Sequence, residues 1–219
     1  MSHTDGLLWG TLRFHSDAEP TVLSGDSYSS GSHLQYVDIS GAGDSGLTTA
    51  ASMLLVEDTK VHDCEGIDGG GIDVRGGALE LREVEVNSNH ASGDGGGIFT
   101  QGDLDLFYCH VDDNHAGHYG GGISQRSGEL TMTGGRLFGN DLPACLDNDG
   151  RKGAGLYLSG FAAQLESVTV RSNGIDGDGS TCTSGTMAGA GIWSDVQSLI
   201  VSNKVIRDGN VQGLAFKLY

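Results

Sequence analysis

The chain has 219 residues, with 38 glycines, only 2 prolines and a formal net charge of −17. Abundant glycine without a Gly-X-Y period excludes collagen, and the regular recurrence of Ile, Leu and Val excludes a disordered chain. The acidic surface disfavours nucleic acid as a partner because it repels phosphates, whereas it suits cations, basic partners or plain solubility.

Strand-like sequence begins close to the amino terminus, at residues 9–14, and returns at residues 34–39. We interpret both segments as early coils of a repeat. No basic-then-apolar leader stands at Met1, and no apolar run is long enough to cross a membrane. We therefore expect a protein that does not span the membrane. We interpret the chain as a mature form whose leader was removed or as part of a longer protein, and we expect it to be secreted or on the cell surface.

A glycine-rich motif recurs along the chain. Gly-Gly-Gly-Ile occurs at residues 69–72, 95–98 and 120–123, with degenerate copies at 153–156 and 189–192. The apolar anchors in this phase are Leu47, Ile72, Ile98, Ile123, Leu156 and Ile192. Their separations are 25, 26, 25, 33 and 36 residues, and the last two intervals carry polar insertions at 141–152 and 175–187. The underlying period of about 25 is shorter than that of helical repeats.

A second motif, Val/Leu-x-x-Asn, places an asparagine 16 or 17 residues after four of the anchors. The asparagines are Asn89, Asn114, Asn140 and Asn173. Stretches of period-two alternation, such as Leu79-Glu80-Leu81, predict strands with one apolar face. We predict aliphatic columns inside a stack of coils and an asparagine ladder at one turn. Asparagine suits that turn because it tolerates left-handed backbone geometry and because its amide bonds to neighbouring backbone, and the motif glycines would supply positive φ at a corner.

The GGGI and V-x-x-N motifs resemble those of right-handed parallel β-helix repeat proteins. They are most similar to autotransporter passengers of the polymorphic outer-membrane protein type, whose repeats carry GGA[I/L/V] and FxxN. The resemblance covers roughly residues 34–206, with Val or Leu where that family usually has Phe. It implies an all-β, right-handed parallel β-helix forming a single domain over residues 1–219. We predict three-strand coils of about 25 residues, roughly seven to eight coils in all, with the two insertions as protruding loops.

The four cysteines have no CxxC spacing, which argues against a zinc knuckle. Cys109 falls at an inward position and is interpreted as a buried thiol, and Cys64 falls at the ladder turn. Cys145 and Cys182 lie in the two insertions, which project from the same corner of successive coils. They either form a disulfide that joins the loops, as an oxidising compartment would allow, or remain free.

Outward columns are the predicted place for function, because the inward columns are filled by the core. Positions one and three after each anchor are predicted to face solvent on one sheet: Asp73/Arg75, Phe99/Gln101, Ser124/Arg126, Tyr157/Ser159 and Trp193/Asp195. Aromatic rings mixed with charges are typical of a carbohydrate-binding face, and we assign Phe99, Gln101, Tyr157 and Trp193 to it. The alternative is an ordinary exposed strand face.

Two further columns carry titratable groups. Asp68 and Asp94 stand four residues before their anchors, and a cation such as Ca²⁺ would relieve their repulsion; solvated turn aspartates are the alternative. His90 and His115 repeat in Asn-His-Ala and either bind a metal, sense pH or merely echo the repeat. The Asp-x-Asp-Gly spacing within residues 175–180 lacks the later glutamate of an EF-hand.

Three functions follow from these patterns. The first is a non-catalytic scaffold or adhesive module, with a polysaccharide or cell-surface glycan as partner. The second is a polysaccharide-active enzyme (a lyase, hydrolase or epimerase) with Ca²⁺ as a candidate cofactor; Asp73, Arg75 and Arg126 are its catalytic candidates, with Asp94 and Lys152 beside them. The third is end-to-end assembly through the open sheet edges at residues 6–12 and 211–219.

Overall fold

In the computed structural model, the described residues are 9–143, 150–175 and 190–203, together with the backbone of 215–216. All regular structure within them is β-strand, and no helix occurs there. Consequently, no helix in this part of the chain is able to cross a membrane. The strands form four parallel sheets and one antiparallel hairpin.

Each sheet takes one short strand from successive repeats of the chain. Sheet 1 consists of Leu12–Phe14, Leu47–Thr49, Ile72–Val74, Ile98–Thr100, Ile123–Gln125, Leu156–Leu158, Ile192–Ser194 and Ala215–Phe216. Sheet 2 consists of His33–Gln35, Leu54–Glu57, Ala78–Arg82, Asp103–Phe107, Glu129–Thr133, Ala162–Glu166 and Ser198–Ser202. Sheet 3 consists of Asp38–Ser40, Lys60–His62, Glu85–Asn87, His110–Asp112, Arg136–Phe138 and Thr169–Arg171. Sheet 4 consists of Glu65–Gly66, His90–Ala91, His115–Ala116, Asp141–Leu142 and Gly174–Ile175.

The register of sheet 1 confirms the aliphatic column that the repeat predicted. Ile72 pairs with Ile98, Ile98 with Ile123, and Ile123 with Leu156, and all four side chains are fully buried. Sheet 2 stacks its leucines in the same way and contributes them to the same core. Burial of each such side chain stabilises the fold by roughly 1.5–3 kcal/mol before the entropy of ordering is subtracted.

A repeat contains four strands, one more than the three that the sequence predicted. The additional strand belongs to sheet 4 and has two residues in each of the five described repeats that contain it, as in His90–Ala91. Two residues are too few to show alternation, so the period-two pattern could not reveal this strand.

The amino-terminal segments join the repeat as expected, because Leu12–Phe14 pairs with Leu47–Thr49 and Asp38–Ser40 pairs with Lys60–His62. An unpredicted antiparallel hairpin, Val22–Ser24 with Ser27–Ser30, is inserted between them. The first repeat, 35 residues from Leu12 to Leu47, is therefore longer than the three that follow it, which have 25, 26 and 25 residues.

The asparagine ladder is confirmed in detail. Asn114 Nδ2 donates to Asn140 Oδ1 at 3.0 Å and to the carbonyl of Val86 at 2.9 Å. Its Oδ1 accepts from both the backbone N–H and Nδ2 of Asn89, each at 3.0 Å. Asn89 Oδ1 in turn accepts from the backbone N–H of Cys64, which occupies the first rung as predicted.

The asparagines do not adopt the left-handed backbone geometry that they would tolerate at this turn. The residue before each one has positive φ instead, namely Ser88, Asp113, Gly139 and Ser172. Asparagine is therefore used for its amide, which bonds along the stack, and not for its backbone freedom.

The motif glycines serve two purposes. The first of each triplet, such as Gly95 at φ 65°, has the positive φ that we predicted for a corner. The third, such as Gly97, is required by close approach, since a Cβ there would lie 2.7 Å from the carbonyl oxygen of Gly122 and 2.9 Å from Asn114 Nδ2.

Cys109 is a buried free thiol, as predicted, and burial raises its pKa to about 12. Cys145 and Cys182 lie outside the described residues, as does the Asp-x-Asp-Gly segment. Most of the predicted end segments, 6–12 and 211–219, also lies outside them, so end-to-end assembly stays a prediction.

Candidate functional site: an arginine–aromatic strip on sheet 1

The outward positions of sheet 1 form one continuous column, which we call the strip. In register they are Arg13, Thr48, Asp73, Phe99, Ser124, Tyr157 and Trp193. Each follows an inward anchor by one position, so strand alternation directs it away from the core. Two positions further along stand Arg75, Gln101, Arg126, Ser159 and Asp195.

The carboxyl-terminal half of the strip is a stack of rings and cations. Tyr157 stacks on Tyr119 at 4.8 Å between ring centroids and on Trp193 at 4.7 Å with an interplanar angle of 5°. The Arg126 guanidinium lies over both tyrosine rings, 4.8 Å from the centroid of Tyr119 and 4.7 Å from that of Tyr157. Lys152 Nζ lies 4.5 Å from the Trp193 ring centroid. Such contacts fix the rings and cations relative to one another.

The predicted exposure of these side chains is wrong for the first position after the anchor. Phe99 is 4% exposed and Tyr157 is 7% exposed, and Asp73 and Ser124 are also buried. They point away from the core, but adjacent strands are only about 4.8 Å apart, so each side chain is covered by its neighbours in the column. Trp193 is half-buried, while Gln101 and Arg75 are exposed.

Asp68 and Asp94 lie together as predicted, but arginines supply the positive charge next to them. The Asp94 backbone N–H donates to Asp68 Oδ1 at 3.0 Å. Asp94 Oδ2 accepts from Arg126 Nε at 2.9 Å and from Arg126 Nη2, and Asp68 Oδ2 lies 3.8 Å from Arg75 Nη2. Burial raises the pKa of Asp94, while the Arg126 guanidinium opposes that rise.

In the described part of the chain, no group of three or more His, Cys, Asp or Glu side chains is arranged to hold a metal. Calcium binding by Asp68 and Asp94 stays a prediction.

Asp73 and Arg75, two of the catalytic candidates, form a close pair. Arg75 Nε donates to Asp73 Oδ2 at 2.6 Å, and the guanidinium lies 5.3 Å from the Phe99 ring centroid. Burial raises the pKa of Asp73 to about 6, although Arg75 acts in the opposite direction. The buried Asp73 Oδ1 has no hydrogen-bond partner. Arg126, the third candidate, belongs instead to the Asp94 pair.

The two histidines of Asn-His-Ala stack as a column on sheet 4. Their ring centroids are 5.0 Å apart with an interplanar angle of 6°, and His115 Nδ1 lies 3.0 Å from Asp141 Oδ1. In register, Glu65 precedes His90 and Asp141 follows His115. The column is thus flanked by a carboxylate at each end.

A groove of about 280 Å³ opens at the amino-terminal end of the strip. Its lining includes Arg13, His15, Asp44, Asp73 and Arg75. Sequence reasoning identified Asp73 and Arg75 but missed the other three residues. The signal that could have found Arg13 is that Leu12 is a further anchor of the repeat. Leu12 pairs with Leu47, so Arg13 lies in the same column as Asp73.

Fold and site together define an all-β repeat protein with parallel sheets and a strip of ordered outward side chains. No protein family, curated protein or solved structure matches this chain.

Proposed function

We propose that this chain is a right-handed parallel β-helix that acts as a non-catalytic scaffold and adhesive module outside cells or on their surface, and that it binds glycan along the strip. The handedness is supported by a general rule. Crossover connections between parallel strands of one sheet are right-handed in the great majority of proteins. Consecutive strands of sheet 1 are parallel and are joined by crossover connections that pass through the other sheets, so the rule applies to them.

One observation carries the proposed glycan binding: the strip holds aromatic and guanidinium groups in fixed relative positions over several repeats. A preorganised surface loses little side-chain entropy on binding. Phe99 and Tyr157 are buried and support the more exposed side chains of the strip. Trp193 keeps partial access for ring stacking, and Gln101 and Arg75 offer exposed hydrogen-bonding groups to sugar hydroxyls.

The experiment is a binding screen of neutral and acidic oligosaccharides against the wild-type chain and two variants, followed by titration calorimetry. Trp193→Ala removes the accessible ring and Gln101→Ala removes an exposed amide; both are expected to weaken binding about tenfold, the usual effect of truncating one contributing interface residue. Phe161→Ala is the matched control, because Phe161 is an exposed aromatic residue outside the strip. Circular dichroism checks that each variant is folded. Binding by no member of a broad panel, or equal losses in Phe161→Ala, overturns glycan binding and leaves an inert spacer.

A polysaccharide-active enzyme is the second candidate, and the Asp73–Arg75 pair favours it. A carboxyl group with a pKa of about 6 is suited to general acid catalysis near neutral pH. The test is polymer length by size-exclusion chromatography after incubation with neutral and acidic polysaccharides, with calcium and with chelator. Shortening by the wild type that Asp73→Asn abolishes supports the enzyme, and an unchanged polymer panel excludes turnover of those substrates.

A further inference from the structure

We propose that the groove formed by Arg13, Asp44, Asp73 and Arg75 is a subsite for a sugar that bears a carboxylate, that is, for the uronate unit of an acidic glycan. This inference rests on the proposed glycan-binding function and names the class of glycan. It places recognition at the amino-terminal end of the strip, away from the ring stack.

The guanidinium groups of Arg13 and Arg75 line the groove and retain N–H donors for a ligand. The side chains of Arg13 and Arg75 are 48% and 43% exposed. Arg13 meets Asp44 at 3.6 Å, which is too long for a hydrogen bond, and the Asp44 side chain is itself 67% exposed, so solvent weakens the pair. Arg75 donates a hydrogen bond from Nε to Asp73 Oδ2, and its Nη2 lies 3.8 Å from Asp68 Oδ2. An arginine has five N–H donors, so both retain donors for an incoming carboxylate.

The wall of the groove contains a buried acceptor without a partner. Asp73 is 5% exposed, lines the groove, and leaves its Oδ1 without a hydrogen bond. A buried polar atom in this state costs free energy that a hydrogen bond recovers. A sugar hydroxyl next to the carboxylate would pair with it, either by donating to the ionised carboxylate or by accepting from the protonated acid. A ligand that combines a carboxylate with hydroxyls therefore matches both the guanidinium groups and the unpaired oxygen.

The overall charge makes the site selective. With a net charge of −17, the chain repels anions at most of its surface. Binding of an acidic sugar therefore depends on the local arginines, and non-specific binding of polyanions should be weak.

Binding of such a sugar is linked to protonation of Asp73. The groups facing this carboxyl are Arg75, which lowers its pKa, Asp68 and Asp44, which raise it, and Arg13 and His15 across the groove. A second carboxylate in the groove would raise the pKa further, so binding takes up a proton. Affinity should be highest below about pH 6 and should fall as the pH rises.

The experiment is titration calorimetry at pH 5.5 and 7.5 with oligogalacturonate, its uncharged methyl ester, sodium acetate and inorganic phosphate. The wild type should bind oligogalacturonate about tenfold more tightly than the ester and more tightly than either simple anion. Arg13→Ala should lose about tenfold, because charge-assisted hydrogen bonds are lost. Arg171→Ala, which removes an exposed arginine on sheet 3, should bind like the wild type. Asp73→Asn should bind equally at both pH values.

Each contrary result has a separate meaning. If the methyl ester or another neutral glycan binds as tightly as oligogalacturonate, the uronate subsite is overturned while glycan binding stands. Phosphate or acetate binding as tightly as the sugar would reduce the groove to an anion site. Equal affinities for Arg13→Ala and Arg171→Ala would also overturn the inference. If no glycan binds the folded wild type, the proposed function fails together with it.

Discussion

Replacement of Asn114 tests whether the asparagine ladder holds the stack together. Asn114 is fully buried, and its side chain accepts two hydrogen bonds from Asn89 and donates two more. Asn114→Ala leaves two buried donors of Asn89 without an acceptor. At about 1–3 kcal/mol for each unpaired buried donor, the expected loss in the free energy of unfolding is about 4 kcal/mol. That is a large share of the roughly 5–15 kcal/mol typical of a folded protein.

The assay is urea unfolding followed by circular dichroism and tryptophan fluorescence, with midpoints compared at equal slope. Asn114→Leu accompanies Asn114→Ala, because leucine fills the site and prevents a water molecule from replacing the amide. Asn87→Ala is the control, since Asn87 is half-buried on the outward side of sheet 3, and it should change stability by less than about 0.5 kcal/mol. The reasoning is refuted if both Asn114 variants lie within about 1 kcal/mol of the wild type, or if they cost no more than Asn87→Ala.

Three further outcomes are expected. Gly97→Ala should destabilise the chain by more than about 2 kcal/mol, because the added Cβ would lie 2.7 Å from a carbonyl oxygen. Gly174→Ala is the control and should be nearly neutral, because a Cβ there meets no atom within 4 Å. The midpoints of urea unfolding of the two variants and the wild type give the comparison. His62 lies between the carboxylates of Asp63 and Asp38, which raise its pKa, and Asp63 has the larger effect. The stabilisation by protonated His62 is therefore complete below about pH 6.5, the pKa in the unfolded chain, and is lost as the pH rises through the higher pKa of the folded chain. Unfolding of the wild type and His62→Ala at pH 5.5 and 8.5 should show a difference of less than about 1 kcal/mol that shrinks at the higher pH, and a difference that grows would contradict the sign. Cys109 should resist iodoacetamide in the native chain and react after unfolding, as read by peptide mass spectrometry; modification of the folded chain would show that the core opens.

Much of the fold was predictable because its repeats reinforce one another. Ile72, Ile98 and Ile123 share a phase, and the nearly constant spacing of Asn89 and Asn114 from their anchors, 17 and 16 residues, follows from that phase. The fourth strand was missed because two residues carry no periodic signal. The hairpin at Val22–Ser24 occurs only once, so repetition could not point to it.

The candidate site was predictable only as a column. Alternation indicated that Phe99 and Tyr157 point away from the core, but it carried no information on whether neighbouring side chains cover them. That depends on side-chain conformation, as in the stacking of Tyr157 on Trp193. Arg13 joins the groove through pairing of strands that are 35 residues apart, beyond the 25-residue period.

The order of strands in sheet 1 also determines how the molecule comes apart. Every strand bonds only to the equivalent strands one repeat before and one repeat after it. Stability is then a sum of nearest-neighbour contributions, as in a linear zipper. Opening should begin at the terminal repeats and travel inward, so that amide hydrogens of Ile98–Thr100 and Ile123–Gln125, in the middle of the zipper, exchange last. The terminal repeats should therefore open most often under native conditions, and they shield the central repeats from solvent.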